Sequence, residues 1–166
     1  MTNTPEPILV LTTGGTIDKA YFDELSTYQV GETQVARLLD LARVACPVRV
    51  LPLLRKDSLE LDDADRALVA EAVRTAPERR VVITHGTDTM TDTAAALGDV
   101  GGKTVVLVGA LAPARFAESD APFNLGMAFA TAQTAAPGVW ITMNGTVFAA
   151  GRVVKDRSQN RFVERS

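Results

Sequence analysis

Short runs of Val, Ile and Leu recur at residues 8–12, 48–54, 81–84, 104–109 and 139–143, each bounded by Gly, Pro or charged residues. Apolar on consecutive positions rather than every second one, they read as strands buried on both faces. The segments between them follow a different period. Residues 32–44 place Val35, Leu38, Leu39 and Ala42 on one helical face, and residues 62–75 do the same with Leu68, Val69, Ala72 and Val73. Residues 89–97 and 123–135 are Ala-rich helical segments. Strands alternating with helices predict an α/β fold: a mostly parallel sheet flanked by helices on both faces.

A chain of 166 residues is long enough to bury roughly two-thirds of its unfolded surface in one core. No internal repeat, linker or composition shift divides it, so residues 1–166 are expected to form a single domain. Asp62, Asp63 and Asp65 suit the first turn of a helix, where they complement its dipole. Arg79 and Arg80 read as a solvated turn, and the segments "MTNTPEP" and "RSQNRFVERS" as polar ends. A net charge of −3 offers no excess of basic residues for phosphates, so no nucleic-acid partner is expected. The apolar stretch at residues 8–11 is too short to span a bilayer and follows no Lys or Arg, which points to a cytoplasmic protein with no membrane partner. With one Cys and one His, the chain cannot build a disulfide framework or a Cys/His zinc site, so neither a metal nor another cofactor is expected. Cys46 reads as a buried structural thiol.

In an open parallel sheet, ligands bind beyond the carboxyl ends of the strands. The residues that follow the predicted strands are "TGGTI", "KDSLE", "HGTDT", "GALAP" and "NGT" with "GRVVK", so hydroxyls, carboxylates, glycines and one lysine converge on a single rim. No window matches a phosphate-binding glycine motif, a G-x-S-x-G elbow or an H-E-x-x-H zinc helix. Taken alone, Gly14 and Gly15 are explained by a tight turn. "THGTDT" repeats the layout at a second strand end, so two threonines can face each other across the rim. A threonine hydroxyl needs a partner to take its proton. Lys155 is the candidate, since a lysine beside a carboxylate in a water-poor site can draw a proton through an intervening hydroxyl.

"TGGTI", "YQVGE", "DSLEL", "THGTDTM", "VGALAP", "DAPFNLGMA" and "GRVVK", in that order, resemble the catalytic N-terminal domain of bacterial-type L-asparaginases over about residues 8–155. The resemblance implies hydrolysis of the side-chain amide of L-asparagine to aspartate and ammonia through a threonyl acyl-enzyme. It assigns the nucleophile to Thr16 and the other catalytic roles to Thr87, Asp88 and Lys155. It places Ser58 on the substrate α-carboxylate with Asp57 before it, and Asp88 also on the α-ammonium. The main-chain carbonyl of Ala110 meets the amide, and Gly15 and Gly86 line the substrate. The family's loop tyrosine maps onto Tyr28, while Tyr21 stands five residues after Thr16, and either phenol can serve the nucleophile. His85 reads as a structural support of its loop, and Leu59 implies a less polar pocket than in many relatives.

Two departures accompany the resemblance. "GRVVK" is one residue shorter than the usual G-R-x-V-x-K, and these enzymes usually carry a second, C-terminal domain of similar size. A short form is expected to cover the corresponding surface by forming a homo-oligomer. Two rivals share parts of the pattern: an ammonia-releasing subunit of an amidotransferase, and a non-catalytic amino-acid-binding module.

Overall fold

The structure is a computed structural model that describes residues 5–22 and 26–165. Its centre is a six-stranded sheet. The strands are β1 (Ile8–Gly14), β4 (Val48–Lys56), β5 (Arg80–Thr84), β6 (Thr104–Val108), β7 (Gly138–Met143) and β8 (Thr146–Ala149), in the order β4-β1-β5-β6-β7-β8. All neighbours are parallel except the β7–β8 pair. Two antiparallel hairpins complete it: β2 (Lys19–Phe22) with β3 (Thr27–Val30), and β9 (Val153–Asp156) with β10 (Arg161–Glu164).

The continuous apolar runs become central strands because alternate residues enter different cores. Leu9, Leu11, Val81, Ile83, Val105 and Leu107 meet Val69 and Val73 of α2 (Asp63–Thr75) and Met90 and Ala94 of α3 (Met90–Ala96). Ile8, Val10, Val82 and Val106 point the other way, onto Val35 and Leu38 of α1 (Val35–Leu41) and Leu125, Ala128 and Phe129 of α4 (Ala121–Thr134). This is the expected α/β sandwich, with the helices split between the two faces.

Local chemistry sets the boundaries. Asp62 caps α2 by accepting from Asp65 N, and Asp65 returns the bond to Asp62 N. Pro52 stands in β4, an edge strand, where its missing N–H leaves no ladder gap.

Several expectations are corrected. The helix at residues 32–44 is confined to Val35–Leu41, and Ala42 is exposed. Leu68 is exposed on α2, leaving Val69 and Val73 as its deeply buried contacts. Cys46 is partly rather than fully buried. Arg80 opens β5 and pairs with Glu6 at 3.2 Å instead of lying in a solvated turn. The C-terminal segment is not merely a polar end: Phe162 of β10 pairs in register with Lys155 and joins the α2–α3 core. Of the polar N-terminal segment, residues 1–4 lie outside the described residues. No helix among the described residues is long and apolar enough to cross a membrane.

Candidate active site

The carboxyl ends of β1, β4 and β5 meet because glycines let their loops touch. Gly15 follows β1 with φ 82°, in the left-handed region that a side chain rarely adopts. A Cβ on Gly15 would collide with Gly86 N, and one on Gly86 would lie 2.6 Å from Cβ and Oγ of Ser58. The loops bearing Thr16 and Thr87 are therefore packed backbone to backbone, and the side chain of Ser58 lies directly against Gly86. A break in the β1–β4 register between Thr12 and Gly14 releases the chain from the sheet at this point.

The threonines at the end of β1 divide by environment. Thr13 Oγ1 donates to the Thr84 carbonyl at 2.8 Å and, like Thr12, is buried. Thr16 is only partly buried and opens a short 3₁₀ turn, Thr16–Asp18. That turn is held from two sides, by Ala114 N donating to the Ile17 carbonyl at 3.0 Å and Gly31 N to the Asp18 carbonyl at 2.8 Å. The Gly15 amide donates to the Lys56 carbonyl at 3.0 Å, so it is already engaged and does not face the rim as an open donor.

Across the rim, Lys155 Nζ donates to Thr87 Oγ1 at 2.8 Å and to Asp88 Oδ1 at 2.7 Å. The lysine side chain is only 12% exposed, so both contacts lie in a largely dehydrated place where charge-assisted bonds are strong. The shortened "GRVVK" thus reaches the Thr87–Asp88 pair. With Lys155 donating, the Thr87 hydroxyl keeps its own proton to offer elsewhere.

His85 is fully buried beneath this loop. Its Nδ1 lies 2.7 Å from the Gly86 carbonyl, which can only accept, so Nδ1 carries the proton and Nε2, at 2.7 Å, accepts from Thr93 Oγ1. Burial holds the imidazole well below its ordinary value, at about 4, outweighing the help that the Gly86 carbonyl gives the charged form. A neutral, doubly bonded ring fits the expected structural role.

Ser58 is buried and its carbonyl accepts from Thr89 Oγ1 at 2.7 Å. The Asp57 carboxylate accepts from Leu59 N at 3.1 Å and pairs with Lys19 at 2.8 Å, so it serves its own turn and ties β2 to it. Burial pushes its carboxyl up, but the Lys19 and Leu59 N–H bonds outweigh this and hold it below the usual range. Leu59 is exposed. Ala110 is buried, and its loop is fixed by Asp120, which accepts from the Leu111 and Ala112 amides at 3.0 Å and from the side chains of Asn124 and Asn144. Gly109 is also a close contact, since a Cβ there would lie 3.1 Å from Thr87 Cγ2.

Tyr21 and Tyr28 face each other across the β2–β3 hairpin with ring centres 5.2 Å apart, and Tyr28 also meets Phe116 edge-on at 6.0 Å. The two phenols form one exposed cluster.

Sequence reasoning passed over Asp18, Lys19, Asp120, Asn124 and Phe116. "DAPFN" held a signal for two of them, an Asp before a Pro at a helix start with an Asn one turn on.

A mostly parallel α/β sheet whose carboxyl rim carries Thr16 and, on the neighbouring loop, Thr87 and Asp88 bonded to a largely buried Lys155 defines the class: an α/β sandwich with its candidate site at the strand ends. The family model described as Asparaginase, N-terminal matches residues 7–163, and the chain belongs to that family. It is 34% identical to a glutaminase-asparaginase of Acinetobacter glutaminasificans, over 89% of this chain and 49% of that protein. With L-asparaginase 2 of Escherichia coli K12 it shares 33% identity over 89% of this chain and 46% of the relative. The crystal structure of a probable cytoplasmic L-asparaginase from Campylobacter jejuni superposes with a TM-score of 0.84 at 31% identity, covering 96% of this chain and 53% of that one. The chain therefore spans about half the length of the relatives it matches.

Proposed function

We propose that this chain hydrolyses the side-chain amide of L-asparagine, with Thr16 as nucleophile. The observation that carries the reading is the two-bond reach of Lys155 to Thr87 and Asp88, on a loop in backbone contact with the one that bears Thr16. Membership of the asparaginase family supports the substrate class.

In this reading Thr16 Oγ forms a bond to the carboxamide carbon, assisted by Tyr28 or Tyr21, and the carbonyl π electrons move to oxygen. The oxyanion is met by the amides of Thr16 and Thr87. Thr16 opens its 3₁₀ turn and so has no acceptor within it for its N–H. Collapse expels the amide nitrogen, which leaves as ammonia with the proton taken from Thr16. A water then attacks the threonyl ester; its proton passes by way of the Thr87 hydroxyl, whose oxygen the Lys155 ammonium holds, to Thr16 Oγ as the C–O bond to Thr16 breaks and aspartate is released. Asp88 anchors Lys155 and accepts the substrate α-ammonium, Ser58 binds the α-carboxylate, and the Ala110 carbonyl meets the amide. Gly15 and Gly86 act by their missing side chains, letting backbone and substrate come close.

We read residues 1–166 as one domain working in the cytoplasm, as the Campylobacter relative's description supports, and assembled as a homo-oligomer. Tyr21, Phe22, Tyr28, Leu111 and Phe116 give the rim an exposed apolar surface that suits a second copy.

Release of ammonia from L-asparagine by the pure 166-residue protein tests the reading. Thr16→Ala is expected to lower kcat by roughly 10³-fold or more while leaving the circular dichroism spectrum unchanged. An alanine variant with full activity refutes the assignment. Binding of asparagine without turnover by the unmutated protein points instead to the binding-module reading.

A further inference from the structure

Asp18 is the last residue of the turn that begins with Thr16, it is 1% exposed, and no step above uses it. Its Oδ1 accepts from Gln34 N, just before α1, at 2.8 Å. Its carbonyl accepts from Gly31 N at 2.8 Å, and its own N–H donates back to the Gly15 carbonyl at 3.2 Å. One residue therefore joins the nucleophile's turn, the end of the β2–β3 hairpin and the start of α1. Of these links only the one to Gln34 uses the side chain, whose carboxylate, a strong acceptor for an amide, also bonds the Thr33 hydroxyl. Asp18 is also among the residues that line a cavity of about 440 Å³ beside β4, with Thr12, Glu32, Thr33 and Arg55.

We propose that Asp18 is a positioning residue for the reaction: its carboxylate clasps the Gln34 amide and so fixes the turn on which the Thr16 hydroxyl is aimed. The role follows from leverage. Thr16 lies two residues from the clasp on a single 3₁₀ turn, so slackening at Asp18 displaces the hydroxyl directly, and misplacement by about 1 Å is enough to lower a rate roughly 100-fold. The inference rests on Thr16 being the nucleophile, but the clasp itself is measurable without turnover.

The test compares Asp18→Ala, Asp18→Asn and Gln34→Pro with the unmutated protein, reading kcat and KM for ammonia release from asparagine and amide hydrogen exchange in the same samples. Asp18→Ala is expected to lower kcat roughly 10–100-fold with KM within about twofold, because orientation and not substrate contact is lost. Asp18→Asn keeps an oxygen for the Gln34 amide and should retain at least about a third of kcat. Gln34→Pro removes the amide donor together with the side-chain bonds of Gln34 to Glu32 and Arg37, so Gln34→Ala, which loses only the side-chain bonds, is its control: the proline variant should approach the Asp18→Ala defect and Gln34→Ala should not. Exchange at Gly31 and Ala114 should rise about tenfold in Asp18→Ala and Gln34→Pro. Unchanged kcat in Asp18→Ala, or an asparagine variant as impaired as the alanine one, overturns the proposal. If the unmutated protein releases no ammonia, the functional reading falls, and exchange alone decides the clasp: unaltered protection in Asp18→Ala and Gln34→Pro refutes it.

Discussion

Replacing Asp18 by Asn should make the protein more stable at neutral pH, and the size of the gain follows from where the carboxyl sits. Burial raises it from 3.8 to about 6, against the opposing pull of the Gln34 amide, the Thr33 hydroxyl and the more distant Arg115 and Arg55. Glu32 lines the same cavity. Between about pH 4 and pH 6 the folded protein holds a proton here that the unfolded chain has lost, so folding is favoured by acid and weakened as pH rises through this window. That rise to about 6 corresponds to about 3 kcal/mol of destabilisation by pH 7, which an uncharged isostere escapes in part. His85 runs the opposite way: held at about 4 by burial, it is neutral when the unfolded chain is already charging, so acidification below about pH 6.5 destabilises the fold. The two slopes oppose each other over the same range. Urea unfolding from pH 4.5 to 7.5 should therefore show a shallow dependence in the unmutated protein. Asp18→Asn should be more stable by about 1–3 kcal/mol at pH 7 and fall more steeply on acidification, with the two curves converging near pH 4. Parallel curves at constant separation, or a destabilised asparagine variant at pH 7, refute the reasoning.

Lys155→Met keeps the stem packed but removes both bonds to Thr87 and Asp88, and is expected to lower kcat by about 10²–10⁴-fold while shifting the urea midpoint little, since Asp88 is in reach of water. A steady-state assay with matched unfolding curves checks it. Sedimentation velocity should show a species larger than one chain, and Phe116→Asp with Tyr21→Ser should shift it toward the monomer. A strict monomer at assay concentration removes the oligomer from the reading.

What the sequence disclosed depends on how each residue earns its place. Central strands are set by two-sided burial, which composition registers directly, so runs such as residues 104–108 declared themselves. The rim hydroxyls were legible because strand ends face ligands in any parallel sheet. The β2–β3 hairpin was not, since Lys19, Tyr21, Thr27 and Tyr28 mix polarity along exposed strands with no consistent apolar face. Phe162 was hidden for a related reason: a lone aromatic among polar residues gives no period, although its burial holds the strand that carries Lys155. Asp18 carries no signal in the sequence, and only packing reveals it as a buried carboxyl. Leu68 shows the reverse error, an apolar residue at helical spacing that falls just outside the packed stripe.

The one-residue deficit in "GRVVK" brings these levels together. Side chains alternate along a strand, so losing a residue within β9 would turn Lys155 to the opposite face from the one its partners occupy. Yet Lys155 reaches Thr87, and Val153, two residues earlier, is buried. The sequence Val153-Val154-Lys155 therefore preserves the V-x-K half of the pattern, and the deficit falls before Val153. There the chain runs through a 3₁₀ turn, Ala150–Arg152, whose length can change without altering strand phase. Restoring the usual spacing should accordingly have opposite effects at two sites two residues apart. A glycine inserted between Arg152 and Val153 is expected to leave kcat within about threefold, whereas one inserted between Val154 and Lys155 reverses the lysine and should lower kcat by about 10²-fold or more. Circular dichroism and unfolding midpoints establish that both variants fold. Equal activity from the two insertions would show that the phase of β9 does not govern the lysine, and the link from strand geometry to proton transfer would have to be abandoned.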